Sequence, residues 1–210
     1  MELQPIFKTK EQINSEAESF LKKYHPSKAI PIPIEQIIDI QLQIDIISIP
    51  GLKDASETLD HDIDAFISSD FRSISVDKYI YDKVATRYRF TLAHEIGHMI
   101  LHEYLYAQFK FNKMDEFITT INEMPLKERG MVEWQADEFA GLILVPREFL
   151  EEKFKKALTR AEEVLNTSFK DSPDFVIDVA IAYLAQDFAV SADVARIRLE
   201  RDGLKEKQLQ

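Results

Sequence analysis

Residues 89–102 read RFTLAHEIGHMILH, and His94 and His98, four apart with Glu95 directly after the first, decide how the rest of the chain is read. A helix turns about 100° and rises about 1.5 Å per residue, so both imidazoles share one face and can grip one metal ion. Glu95 projects beside that face. There its carboxylate can take a proton from a water that the ion has made acidic, with a pKa brought towards about 7. The spacing is that of zinc-dependent peptide hydrolysis. With five histidines in 210 residues, a chance match is expected on the order of 10⁻² times per chain. The flanks support a buried helix, because Phe90, Ala93, Gly97 and Leu101 form an apolar stripe at helical spacing. Gly97 costs such a helix about 1 kcal/mol relative to Ala, so another backbone or a substrate is expected to come close to it.

Two histidines leave a catalytic site one ligand short, since three protein ligands and one open position are usual. The stretch EWQADEFAGLILVP, residues 133–146, places Glu133 and Asp137 on one side of an apolar helix. Glu133 can complete a His2Glu set, and Asp137 can accept a hydrogen bond from the non-ligating nitrogen of His94. The other reading of these acids is a solvated outer face, with Ala136, Phe139, Ala140 and Ile143 inward. His102 continues the histidine series. On a straight helix, however, it lies about 12 Å along the axis from His94, against metal–nitrogen bonds of about 2.0–2.1 Å. Packing at the helix end or contact with substrate remains for it.

These residues resemble the ImmA/IrrE metallo-endopeptidases of bacteria and their mobile elements. RFTLAHEIGHMILH looks like that family's active-site helix, EWQADEFAGLILVP like its second motif, and LAQDFAVSADVARIRL at 184–199 like its C-terminal helices. The resemblance spans about residues 30–203. It implies a gluzincin-like set in which His94, His98 and Glu133 hold Zn²⁺, or Mn²⁺ in its place, and Glu95 is the general base. Asp137 stands where the family has Asn or Asp. IDAFISS and SISV resemble the hairpin before the active-site helix, with Ala65 where a glycine is common.

Composition points to a compact cytoplasmic protein. The chain is 45% hydrophobic, which suffices for one good core or a domain with a small helical appendage. It has no cysteine, which excludes disulfides and thiolate ligands. The first twenty residues carry no apolar signal core, and no segment approaches about 18 uninterrupted apolar residues, so neither export nor membrane spanning is expected. A net charge of −11 argues against nonspecific nucleic-acid binding.

The expected fold class is α+β: mostly helical, with a small antiparallel sheet packed on a zincin-type active-site helix. The expected division is a metallopeptidase domain with N-terminal helices over 1–146 and a packed helical region over 147–210. Residues 10–24 read as an amphipathic helix with Ile13, Ala17, Phe20, Leu21 and Tyr24 on one side. A second helix follows Pro33, and 41–49 alternates like a strand. Segments 62–69 and 72–77 form a hairpin turning near Asp70. Ala65, Phe66, Ile67, Ser68 and Ser69 are the candidate edge for an extended substrate, or else part of an ordinary core hairpin. The connection after His102 carries Phe109, Phe111, Met114, Phe117 and Ile118, with a short helix over 115–122, and serves as packing or as a cover for the cleft. Helices over about 174–188 and 191–203, with Ser191 as N-cap and Gly203 as stop, have helix-turn-helix spacing. Three Arg against five acids in 176–203 favour packing or partner docking there over DNA reading.

The resulting expectation is a metal-dependent endopeptidase. Tyr88, Tyr104, Tyr106 and His102 are the candidates for contacting substrate or the tetrahedral oxyanion. The resemblance implies a Xre-type transcriptional repressor as substrate, whose loss switches on stress or mobile-element genes. The alternative is a DNA-binding or repressor-binding regulator, toxin–antitoxin-like, acting through its C-terminal helices with a structural or inactive metal site.

Overall fold

The computed structural model describes residues 6–52, 63–108 and 111–205. Phe109 and the expected first residue of the hairpin, at 62, lie outside them. Contacts among the described residues fall into two compact units. One comprises residues up to Ser27 with Pro33–Ile143; the other comprises Lys28–Ile32 with the chain from Leu144 onward.

In the first unit, α1 (Lys10–Tyr24) follows the apolar period of its sequence and buries Ile13, Ala17 and Phe20. Thr9 caps it. The Thr9 side chain accepts from the Gln12 N–H at 3.3 Å, and the Gln12 side chain accepts from the Thr9 N–H at 2.8 Å, so two of the orphan donors at the helix start are satisfied. Helix α2 (Ile34–Gln36) runs into a π-helical stretch, Ile37–Leu42, that ends where Gln43 turns left-handed at φ 57°. Strand β1 (Asp45–Ile49) begins only there, which corrects the expected strand over 41–49. Ile34, Ile37 and Ile38 are all fully buried, and their helical spacing outweighs the alternation that begins at Gln41.

Strands β2 (Ala65–Ile67) and β3 (Ser73–Asp77) form the expected antiparallel hairpin, with Phe66 opposite Ser75. Its turn is closed by polar side chains. Ser68 Oγ donates to Asp70 at 2.7 Å and accepts from the Ser73 N–H at 3.0 Å, while Phe71 adopts φ 56°. The sheet order is β1-β3-β2, and β1 runs parallel to β3. The α+β class therefore stands, but the sheet is mixed rather than antiparallel. The outer edge of β2 is committed to a helix, because the Ile67 N–H donates to Glu95. β1 lies on the other edge of β3.

Asp77 ends β3 and caps α3 (Lys78–Lys83), accepting from the Tyr79 N–H at 2.8 Å. Next come α4 (Ala85–Tyr106), α5 (Met114–Glu123) and α6 (Leu126–Leu144). Leu92, Ala93 and Ile96 of α4 and Ala136, Phe139 and Ala140 of α6 are fully buried in the core of this unit. Gly97 lets the two helices meet. A Cβ added there would lie 3.0 Å from both Cα and O of Ala136, so the close backbone expected at this glycine is that of α6.

The second unit contains α7 (Arg147–Leu165), α8 (Pro173–Phe188) and α9 (Ala192–Arg201). Leu150, Phe154, Ala157, Leu158 and Ala161 form the buried stripe of α7, and Val176, Ile177, Ala180, Ile181 and Leu184 that of α8. Asn166 and Ala189 end these helices in the left-handed region. Ser191 caps α9 by accepting from the Val194 N–H at 3.2 Å. α8 and α9 meet at 106°, inside the range of helix-turn-helix pairs. No single described helix is long and apolar enough to cross a membrane.

Candidate metal centre

Helix α4 presents His94 and His98 one turn apart, and α6 brings Glu133 against them. His98 Nε2 lies 3.0 Å from His94 Nε2 and 3.6 Å from Glu133 Oε1, and His94 Nε2 lies 3.1 Å from Glu133 Oε2. Bonds of about 2.0–2.1 Å at tetrahedral angles put neighbouring ligand atoms about 3.3 Å apart. The three donors therefore have the mutual spacing of one face of such a site, and this cluster could hold a metal ion. Donor chemistry agrees, since two imidazoles and a carboxylate suit a borderline divalent cation such as zinc.

The remaining ring nitrogens point to other partners. His94 Nδ1 donates to Asp137 Oδ1 at 2.8 Å, and His98 Nδ1 meets His102 Nδ1 at 3.1 Å. Asp137 stands half-exposed at the rim, whereas His102 has no exposure at all. The backbone of His102 leaves the helical region, at φ −124° and ψ 17°, so α4 is kinked at this residue.

Without an ion, the site is electrostatically divided. Burial lowers the affinity of His94 for a proton, but the hydrogen bonds to Asp137 and Glu133 outweigh it and hold that imidazole well above its ordinary pKa. Burial, with His94 nearby, pushes His98 down to about 4, and burial and His98 push His102 down to about 2. Burial also raises Glu95 to about 7, opposed by His94 and by the hydrogen bond from Ile67. That bond, 2.8 Å from the Ile67 N–H to Glu95 Oε2, fixes the carboxylate against the sheet.

His94, Glu95, His98, Glu133 and Asp137 line a cavity of about 210 Å³. Its far wall comes from α5 and its flanks, through Phe117, Ile121 and Met124. Phe117 stacks on Phe66 at 4.9 Å and meets Phe111 at 5.2 Å, so Phe111 and Phe117 both pack with other rings and face the cleft. Of the expected substrate or oxyanion contacts, only Tyr106 reaches the cavity. Tyr88 donates to Glu35 at 3.0 Å, the Tyr104 hydroxyl accepts from the Ile6 N–H at 2.5 Å, and His102 is sealed behind His98.

The expected five-residue substrate edge narrows as well. Ile67 spends its outward N–H on Glu95, and the Ser69 N–H donates to the Phe111 carbonyl at 2.9 Å. Ala65 is the one of the five that lines the cavity. Two contributors escape sequence reading. Asp64 lines the cavity while paired to Arg87, and the Ile67 amide holds the central glutamate. Backbone donors leave no residue-type signal, and the Asp64–Arg87 pair spans 23 positions with no motif.

No curated protein matches this sequence. A solved structure described as a Mycobacterium tuberculosis transcriptional regulator is similar over 89% of this chain, with a TM-score of 0.51 at 15% identity, which is a likeness of fold. The chain spans 46% of that structure's length. The family described as Peptidase M78, IrrE N-terminal-like domain, matches residues 78–200, a stretch that contains both metal-site helices. With more than half its length matched, and as its resemblance to ImmA/IrrE implies, this chain belongs to the Peptidase M78 family of IrrE N-terminal-like domains.

Proposed function

We propose that this protein is a zinc-dependent endopeptidase acting in the cytoplasm on an extended segment of a protein substrate, with a Xre-type repressor as the substrate class. The observation that carries the reading is the convergence of His94, His98 and Glu133 beside the buried carboxylate of Glu95 on one cavity. Zn²⁺ held there, or Mn²⁺ in its place, would polarise a scissile carbonyl and acidify a water.

The other roles belong to the chain. Glu95 Oε2 is held by Ile67, leaving Oε1 to take a proton from the attacking water and pass it to the leaving amine. In the metal-free protein burial raises this carboxyl to about 7; a bound cation would oppose that shift and favour the ionised form that acts as base. Ala65 offers outward backbone groups to an extended peptide, whose scissile bond is thereby oriented over the donor cluster. Tyr106 is the donor assigned to the developing oxyanion; burial raises its pKa and keeps its proton in place. Asp137 fixes the tautomer of His94.

The test is incubation of the Zn²⁺-loaded protein with the repressor encoded beside its gene, followed by mass spectrometry of fragments. Glu95→Gln is expected to lower cleavage by at least about 10²–10⁴-fold while still binding Zn²⁺. Cleavage at the wild-type rate by that variant rejects the mechanism. Tyr106→Phe is expected to lower kcat by about 10²–10³-fold at unchanged Zn²⁺ affinity.

A second reading, a regulator that grips DNA or a repressor through α8 and α9, draws on their 106° crossing. The charges oppose the DNA form of it: Arg196 pairs with Asp178 at 3.0 Å, and the buried Arg198 pairs with Asp202 at 2.7 Å. Salt-dependent gel shift of an operator by Glu95→Gln protein would favour this reading.

A further inference from the structure

The two histidines of the donor cluster are held from behind in different ways. His94 Nδ1 meets a carboxylate at the rim, whereas His98 Nδ1 meets the imidazole of His102, which is entirely buried. We infer that His102 is a positioning residue: its Nδ1 accepts a hydrogen bond from the Nδ1–H of His98 and so aims His98 Nε2 at the cation. The inference rests on the proposed metal centre.

The proton count leads there. Two imidazole nitrogens 3.1 Å apart must be one donor and one acceptor. His98 Nε2 is the atom that joins the cluster with His94 and Glu133, so it must offer a lone pair. A neutral imidazole carries one proton, which for His98 is therefore on Nδ1. His102 Nδ1 must then accept, and the proton of His102 lies on Nε2. That atom is buried without a hydrogen-bond partner among the described residues.

A residue present only for packing would not need this unmet polar atom. Leucine or phenylalanine would fill the space without it. The backbone also departs from the helix at this residue alone within α4, where the two rings lie 5.2 Å apart. The choice of an imidazole follows from depth. A carboxylate as buried as His102 would carry a desolvated charge, while a neutral ring accepts the same hydrogen bond without one. At the half-exposed rim, Asp137 can keep its charge.

Three substitutions separate the acceptor from the filler. Asn places its side-chain oxygen near the position of Nδ1, Gln reaches only that of Nε2, and Phe keeps the ring without an acceptor. Zn²⁺ affinity of the full chain is measured by competition with a chromophoric chelator, with circular dichroism reporting the fold. His102→Asn is expected within about threefold of wild type, and His102→Gln and His102→Phe weaker by about 10–100-fold. Wild-type affinity in a folded His102→Phe variant overturns the inference. So does equal affinity of the Asn and Gln variants, a comparison that decides even if Phe does not fold.

Long-range ¹H–¹⁵N correlation spectra supply a readout independent of activity. They are expected to show His102 protonated at Nε2 and bare at Nδ1, with and without Zn²⁺. A proton on His102 Nδ1 overturns the inference. If wild type binds no Zn²⁺, the metal-centre reading fails by itself, and the spectra of the metal-free protein still decide the His98–His102 bond.

Discussion

Glu95 is the residue on which chemistry and stability meet. In the metal-free protein its carboxyl titrates near 7 in place of an ordinary 4.5. Between those values the folded state holds the proton more tightly than the unfolded chain, so this group removes stability as pH rises through the window. His98 acts in the opposite sense. Its pKa falls from 6.5 to about 4, so the unfolded chain binds the extra proton and stability is lost as pH falls through that range. Glu95→Gln deletes only the first effect. Relative to wild type, the metal-free variant should become progressively more stable as pH rises from 5 to 8, read as the difference in urea midpoints. A difference that stays constant with pH would contradict the burial assigned to this carboxyl. Sequence spacing places Glu95 beside the histidines, but its raised pKa comes from burial, opposed by His94 and by the amide of Ile67, 28 positions away in the chain.

Helices α4 and α6 form the working pair, and Gly97 sets their separation. The added methyl of Gly97→Ala would meet the Ala136 backbone at 3.0 Å. Backbone cannot swing aside as a side chain can, so α6 must shift by some tenths of an ångström, at a cost of about 1–3 kcal/mol. Glu133 lies three residues before Ala136 on the same helix, and His94 and His98 flank Gly97. The shift therefore opens the donor cluster as well as the core. Gly97→Ala is expected to lose Zn²⁺ affinity by more than its loss of stability alone explains, checked by chelator competition on protein still folded by circular dichroism. The remaining elements show where periodicity reads well. The buried stripes of α1, α6 and α8 lie at the spacings that their sequences display. It reads poorly at 41–44, where the alternation of QLQI suggests a strand, yet the helical run that buries Ile34, Ile37 and Ile38 continues to Leu42.

At the scale of the molecule, the proposed metal joins residues from two helices that are about forty positions apart, so its binding is linked to folding of that unit. Zn²⁺ at a hundred times its Kd should stabilise the protein by about 2.7 kcal/mol, seen as a rise in Tm. His98→Ala should abolish that rise, and an equal rise in the variant would place the ion elsewhere. By itself the sequence determined the helical periods, the cap at Ser191, the paired histidines with their glutamate, and the helix carrying Glu133 and Asp137. These are local properties, written in residues three or four apart. Only the tertiary structure decided that Glu133 and Asp137 turn to His94 rather than to solvent, and that β1 joins β3 in parallel. It also decided that Ala65 alone of the expected edge faces the cavity, and that Tyr106 rather than Tyr88 or Tyr104 reaches it. The physical reason is common to all four. Each depends on which backbone or side-chain group across the fold takes a donor or fills a space, and a single chain's spacing carries no record of that competition.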